Sequence, residues 1–68
     1  MTPERFQEIR EAMGLDINEM AHRCGVVPRT VYRWENEGIK DGSAIKLVQL
    51  IHSLDQYMKA LKKSEVVP

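Results

Sequence analysis

Glycine and proline punctuate this chain at Pro3, Gly14, Gly25, Pro28, Gly38 and Gly42, and the pieces between them are the right length for short helices. Thr2-Pro3-Glu4 reads as a helix start: a hydroxyl cap, a proline whose missing N–H is harmless in the first turn, then an acid. Phe6, Ile9, Arg10 and Met13 recur at helical spacing before the stop at Gly14, which predicts a first helix over about residues 3–13. Asp16-Ile17-Asn18-Glu19 fits a capping box, and Met20, Ala21 and Cys24 give the second helix an apolar face of about two turns. A third helix begins near Pro28 and ends before Gly38, with Val31 and Trp34 on one side and Arg29, Thr30 and Arg33 largely on the other. Val27 is a poor cap, so this helix starts without a side-chain partner.

The last stretch opens at Asp41-Gly42-Ser43, where either Asp41 or Ser43 can cap. Leu47, Ile51, Leu54, Met58 and Leu61 then follow at steps of 4, 3, 4 and 3, and Ile45, Val48 and Leu50 widen the first half of that stripe. The wide half suits packing against the domain and the narrow half suits a partner helix. The expected helix covers about residues 43–63; its continuity past Asp55 is open, and residues 65–68 read as a frayed end. Repeats, low-complexity runs and strand patterns are absent from the sequence, so the expected class is all-α in a single domain spanning residues 1–68.

A chain of 68 residues has a thin core and commonly gains stability from a partner, a metal or disulfides. One cysteine, Cys24, excludes an internal disulfide, and with His22 and His52 it does not make a zinc set. A lone thiol at an apolar position fits a reducing cytoplasm and the role of a small buried hydrophobe. No run approaches a membrane span or a signal peptide, which leaves the expectation of a soluble, unexported protein without a membrane partner. Nor is there a nucleophile–base pair, a carboxylate dyad or a glycine-rich phosphate loop, so neither an enzyme nor a cofactor is expected.

Ten bases balance ten acids, but unevenly. Residues 1–19 hold five acids and two bases; residues 20–34 hold Arg23, Arg29 and Arg33 and no acid. A local basic face attracts phosphates whatever the whole-chain charge. That face coincides with a corner: Ala21 permits close approach, Gly25 supplies a turn residue free to take positive φ, and Val26, Val31 and Trp34 fill the angle. Such a corner leaves the following helix projecting, able to enter a major groove.

The run GLDINEMAHRCGVVPRTVYRWENEG, residues 14–38, with FQEIREAMG before it, resembles the Cro/C1-type (Xre-like) helix-turn-helix family of DNA-binding repressors over about residues 3–54. The resemblance implies a lambda-repressor-like bundle of four to five helices, with the helix-turn-helix at about 17–36. It also implies that Pro28, Arg29 and Arg33 read bases, that Asn36 contacts a phosphate, and that Arg10 and Glu35 form a structural ion pair. Arginine suits base reading because its guanidinium grips guanine bidentately. Thr30 either touches DNA or holds the start of its helix. Asn18, Arg23, Tyr32 and Lys40 are candidate backbone contacts, each with plain surface as the alternative. The sequence departs from the family at Val27, which usually is Ser or Thr, and at Ile17, which usually is Gln or Thr.

The functional expectation is a sequence-specific repressor, cytoplasmic in a bacterial or phage setting. It would bind double-stranded DNA at an inverted repeat as a homodimer with no small-molecule ligand; dimerisation would be through Leu54, Met58 and Leu61, whose alternative role is to close the monomer's own core. Autoregulation is the simplest control, and phage, antitoxin and anti-CRISPR-associated regulators all have this size. The alternative from another class is a protein-interaction module that uses the helix-turn-helix as a scaffold, such as an antitoxin docking a toxin. RNA binding is disfavoured by the lack of an aromatic stacking platform.

Overall fold

The computed structural model describes residues 1–65, and they form four helices: α1 (Pro3–Ala12), α2 (Ile17–Cys24), α3 (Pro28–Glu37) and α4 (Gly42–Glu65). No strand occurs among the described residues. Glu65 is helical, whereas the remainder of the expected frayed end, residues 66–68, lies outside the described residues.

Local chemistry sets the boundaries. Thr2 Oγ1 accepts the Arg5 N–H at 3.1 Å and caps α1. At α2 the capping box is reciprocal: Asp16 Oδ1 accepts the Glu19 N–H at 2.8 Å, and Glu19 Oε1 accepts the Asp16 N–H at 3.0 Å. Gly25, at φ 69°, stops α2, and the Val26 N–H closes the end by donating to Ala21 O at 3.0 Å. α3 has no side-chain cap at Val27 and begins on Pro28. Asp41 takes the capping role at α4, accepting the Ser43 N–H at 3.1 Å.

The core joins Phe6, Ile9 and Met13 of α1, Met20, Ala21 and Cys24 of α2, Val31 and Trp34 of α3, Ile39 of the loop and Val48 of α4. Phe6 and Trp34 meet edge to face, centroids 5.5 Å apart at 76°, and bind α1 to α3. α3 also packs on α2, and α4 packs on α2. Gln7 Nε2 donates to Glu35 O at 2.9 Å, a second tie between α1 and α3.

Two features were not anticipated from sequence. Ile39 is 3% exposed and is held by backbone pairing with Met1: the Met1 amino group donates to Ile39 O at 2.8 Å, and the Ile39 N–H donates to Met1 O at 2.9 Å. Gly38 makes this possible twice over. Its φ is +81°, and a Cβ there would lie 2.5 Å from Met1 O. The second feature is the exposure of Leu47 and Leu50, which the sequence placed in the packing face of α4 with Ile45, Val48 and Ile51. Val48, with Ala44, Ile45 and Ile51 beside it, turns inward, whereas Leu47 and Leu50 are exposed. The apolar stripe is thus set to one side of the packing face. It leaves Leu47, Leu50, Leu54, Tyr57, Met58 and Leu61 uncovered along one side of an unbroken helix of 24 residues.

That helix shapes the molecule. At 1.5 Å per residue α4 is roughly 36 Å long, and the molecule measures 45 × 21 × 20 Å. Its radius of gyration, 13.0 Å, exceeds the roughly 11 Å expected for a compact chain of this length. The second half of α4 projects, moored by Lys59, whose Nζ reaches Ala12 O at 3.0 Å and Asp55 Oδ2 at 2.9 Å.

Candidate nucleic-acid interface

α3 is anchored by what it buries. Val31 and Trp34 are 0% and 5% exposed and face α1 and α2. At 100° per residue the opposite side of the helix carries Arg29, Arg33 and Asn36 in one stripe, all exposed. Neither arginine has an ion-pair partner among the described residues. Two guanidinium groups one turn apart, free of protein acceptors, keep all their donors for an external partner.

The neighbours are distributed as follows. Pro28 is exposed at the tip of α3, while Thr30 is half-buried and its backbone N–H donates to Val27 O at 3.0 Å. Tyr32 is 58% exposed and stands to one side of the arginine stripe. Asn18 is exposed in the first turn of α2, and Arg23 is exposed near its end. Lys40 is exposed in the loop after α3. Arg33 and Lys40 line a recess of about 280 Å³ together with Glu37, Gly38 and Asp41. Those two carboxylates escape a sequence reading that ends the basic stretch at Trp34; they bound the positive surface at the C-terminal end of α3.

Arg10 and Glu35 meet across α1 and α3, with Arg10 Nε donating to Glu35 Oε1 at 2.5 Å. Arg10 Nη1 also donates to Leu15 O at 2.9 Å, so one guanidinium holds the end of α1, the loop and α3 together. The side chains are 19% and 13% exposed. Glu35 is thereby engaged away from the arginine stripe, and its charge is compensated on the protein.

Cys24 is 7% exposed, and burial raises its thiol above the ordinary 9.0. A protonated, covered thiol is a poor nucleophile and packs as an apolar side chain. Among the described residues no group of His, Cys, Asp and Glu is placed to hold a metal, and no helix is long and apolar enough to cross a membrane.

Comparison with known proteins adds one finding. The family model described as Helix-turn-helix matches residues 6–55, which takes in most of α1, the corner and the first half of α4. No curated protein and no solved structure matches the chain significantly. With the α2–α3 corner and most of the chain's length inside the match, the chain belongs to the Cro/C1-type helix-turn-helix family of DNA-binding regulators.

Proposed function

We propose that this protein is a transcriptional repressor that binds an inverted-repeat operator as a homodimer. The observation that carries this reading is the Arg29–Arg33–Asn36 stripe on α3: exposed, without an ion-pair partner among the described residues, and on a helix anchored by the buried Val31 and Trp34. In the proposed complex α3 lies in the major groove, and Arg29 and Arg33 each grip a guanine through O6 and N7. Pro28 and Thr30, at the tip of α3, touch neighbouring base edges. Asn18, Arg23, Tyr32, Asn36 and Lys40 contact phosphates and fix the register without specifying sequence.

A single α3 reads about half an operator. Two copies related by a two-fold axis place their recognition helices about one DNA turn, ~34–36 Å, apart. Leu54, Met58 and Leu61 supply the dimer contact in this reading. They are 54%, 59% and 40% exposed and stand on the projecting half of α4, outside the monomer core. Repression follows from occupancy: a dimer seated on a promoter excludes polymerase, and an operator upstream of the protein's own gene would close an autoregulatory loop. The Arg10–Glu35 pair serves this indirectly, by fixing α3 against α1 and keeping the Glu35 charge from the DNA.

Selection of binding sites from randomised duplexes tests the proposal. The expected result is an enriched inverted repeat whose affinity falls steeply as salt rises. Arg29→Ala and Arg33→Ala should each relax preference at a particular base pair by about 1–3 kcal/mol. Leu54→Asp or Met58→Asp should yield a folded monomer that binds only weakly. A sequence-blind or salt-insensitive interaction, or an unchanged dimer mass in both aspartate variants, would refute it.

The exposed apolar side of α4 also supports a second reading, in which the chain docks another protein through that helix. The aspartate substitutions then abolish capture of the partner and leave operator binding intact.

A further inference from the structure

Between α2 and α4 runs an open groove of about 450 Å³, lined by Arg23, Ile51, Leu54, Asp55, Met58, Lys59 and Lys62. Its floor is apolar: Ile51, Leu54 and Met58 follow one another at steps of 3 and 4 along α4. Its rim is charged, and the charges are not balanced. Asp55 and Lys59 satisfy each other at 2.9 Å, and Lys59 also holds Ala12 O. Arg23 and Lys62 have no acidic partner among the described residues, which leaves a net of two positive charges flanking the floor.

We infer that this groove receives an acidic amphipathic helix from another protein, and that its binding there releases the operator. Three observations select that occupant. A small ligand normally has most of its surface enclosed; this groove is open along its length, and Leu54 and Met58 remain more than half exposed within it. An extended apolar floor with side chains at helical steps is matched by a helix laid beside it, which presents its own i, i+3, i+4 and i+7 side chains. Charge then decides between a second copy and a different chain. α4 carries Lys46, Lys59, Lys62 and Lys63 against Asp55 and Glu65, so the α4 of a second copy brings further lysines toward Arg23 and Lys62. A homodimer satisfies the apolar floor alone. An acidic helix satisfies floor and rim together.

The consequence rests on the homodimer reading given above. Leu54 and Met58 would belong to both interfaces and Arg23 to the DNA contact set, so an occupied groove excludes dimer partner and phosphate at once. Such an occupant is an inducer by competition and needs no conformational change in the helix-turn-helix.

The test uses a synthetic helical peptide of about 18 residues, ~27 Å long, with leucines at i, i+3, i+4 and i+7 and glutamates flanking them. A control peptide has lysine at every glutamate position. Both are titrated by fluorescence anisotropy against the full chain and against Leu61→Asp, which loses the proposed dimer contact but leaves every groove residue in place. The glutamate peptide should saturate Leu61→Asp at least tenfold more tightly than the lysine peptide. Lys62→Glu should weaken the glutamate peptide and strengthen the lysine peptide. In a gel shift the glutamate peptide should displace the wild-type chain from its selected operator. Equal affinity for the two peptides, no saturation of either chain, or amide shifts that map away from Arg23, Ile51, Leu54 and Met58 would overturn the groove assignment. Saturable peptide binding without operator release would overturn the inducer role. A chain that binds the glutamate peptide but never binds DNA would leave the groove standing and refute the repressor reading instead.

Discussion

Arg10→Met removes the one guanidinium that touches α1, the 13–16 loop and α3, and its cost follows from the two partners it strands. Glu35 is left with its carboxylate 13% exposed and no cation beside it, and Leu15 O is deprived of a donor at 2.9 Å. Breaking a fully buried pair from one side costs about 3–5 kcal/mol, while an exposed pair is worth about 0–1. At 13% and 19% exposure this pair lies nearer the buried limit, so roughly 2–3 kcal/mol is expected. A domain of 68 residues is stable by only roughly 3–10 kcal/mol. At about 4–8 °C per kcal/mol, thermal melting should fall by some 10–20 °C. Glu35→Gln should cost less, since an amide keeps a hydrogen-bond acceptor toward Arg10 and is cheaper to bury than an unpaired carboxylate. The double variant Arg10→Met/Glu35→Gln should be more stable than the sum of the single effects implies, with a coupling of about 1–3 kcal/mol from urea unfolding. Additive effects, or a loss below about 0.5 kcal/mol for Arg10→Met, would show that the pair does not fix α3 and that Phe6–Trp34 packing and the Gln7–Glu35 backbone tie suffice.

Three further outcomes follow from the fold. Val48→Ala should cost about 1.5–3 kcal/mol in urea unfolding, because Val48 is fully buried, while Leu47→Ala should cost below about 0.5 kcal/mol; the reverse order would place α4 in a different register. Gly38→Ala should destabilise by about 1 kcal/mol from positive φ alone and by more from the clash with Met1 O, visible as a lowered melting temperature and weakened amide protection at Ile39. Cys24 should resist a disulfide reagent in the native state at neutral pH and react once unfolded. Its folded pKa lies above its unfolded one, so its contribution to stability holds below about pH 9 and is lost as pH rises beyond it, when only the unfolded thiol ionises. Rapid native labelling at neutral pH would contradict the burial.

What the sequence revealed and what it withheld divide along a physical line. The starts and stops of α1, α2 and α3 were legible because each depends on a few adjacent residues: Thr2 and Pro3, the Asp16–Glu19 box, Gly25, Pro28 and Gly38. Phe6, Ile9, Met20, Val31 and Trp34 were legible as core for a related reason, since helical periodicity names a face without needing to know what covers it. The Met1–Ile39 pairing was not legible, because it joins backbone groups 38 residues apart and leaves no mark on side-chain type. The outward turn of Leu47 and Leu50 on α4 was missed for a different reason. Leu47 and Val48 are adjacent and both apolar, so local sequence does not say which of the two faces the α2 contact.

The same distinction bears on the interface. Composition pointed to residues 20–34 as acid-free, but charge counted along a chain is not charge seen by a phosphate. Glu35, next to Trp34 in sequence, is removed from the arginine stripe by its pairing with Arg10. Glu37 lies one helical turn beyond Arg33 on α3, and Asp41 follows the turn at Gly38; both line the same recess as Arg33 and Lys40. The effect of a carboxylate on a neighbouring cation is set by their separation in space, so position outweighs tally. Arg29, near the N-terminal end of α3, has no ion-pair partner among the described residues, while Glu37 and Asp41 line the recess at its C-terminal end. Phosphate attraction should therefore be stronger where α3 begins, at the uncapped Val27–Pro28 start, than at its C-terminal end beside Glu37 and Asp41.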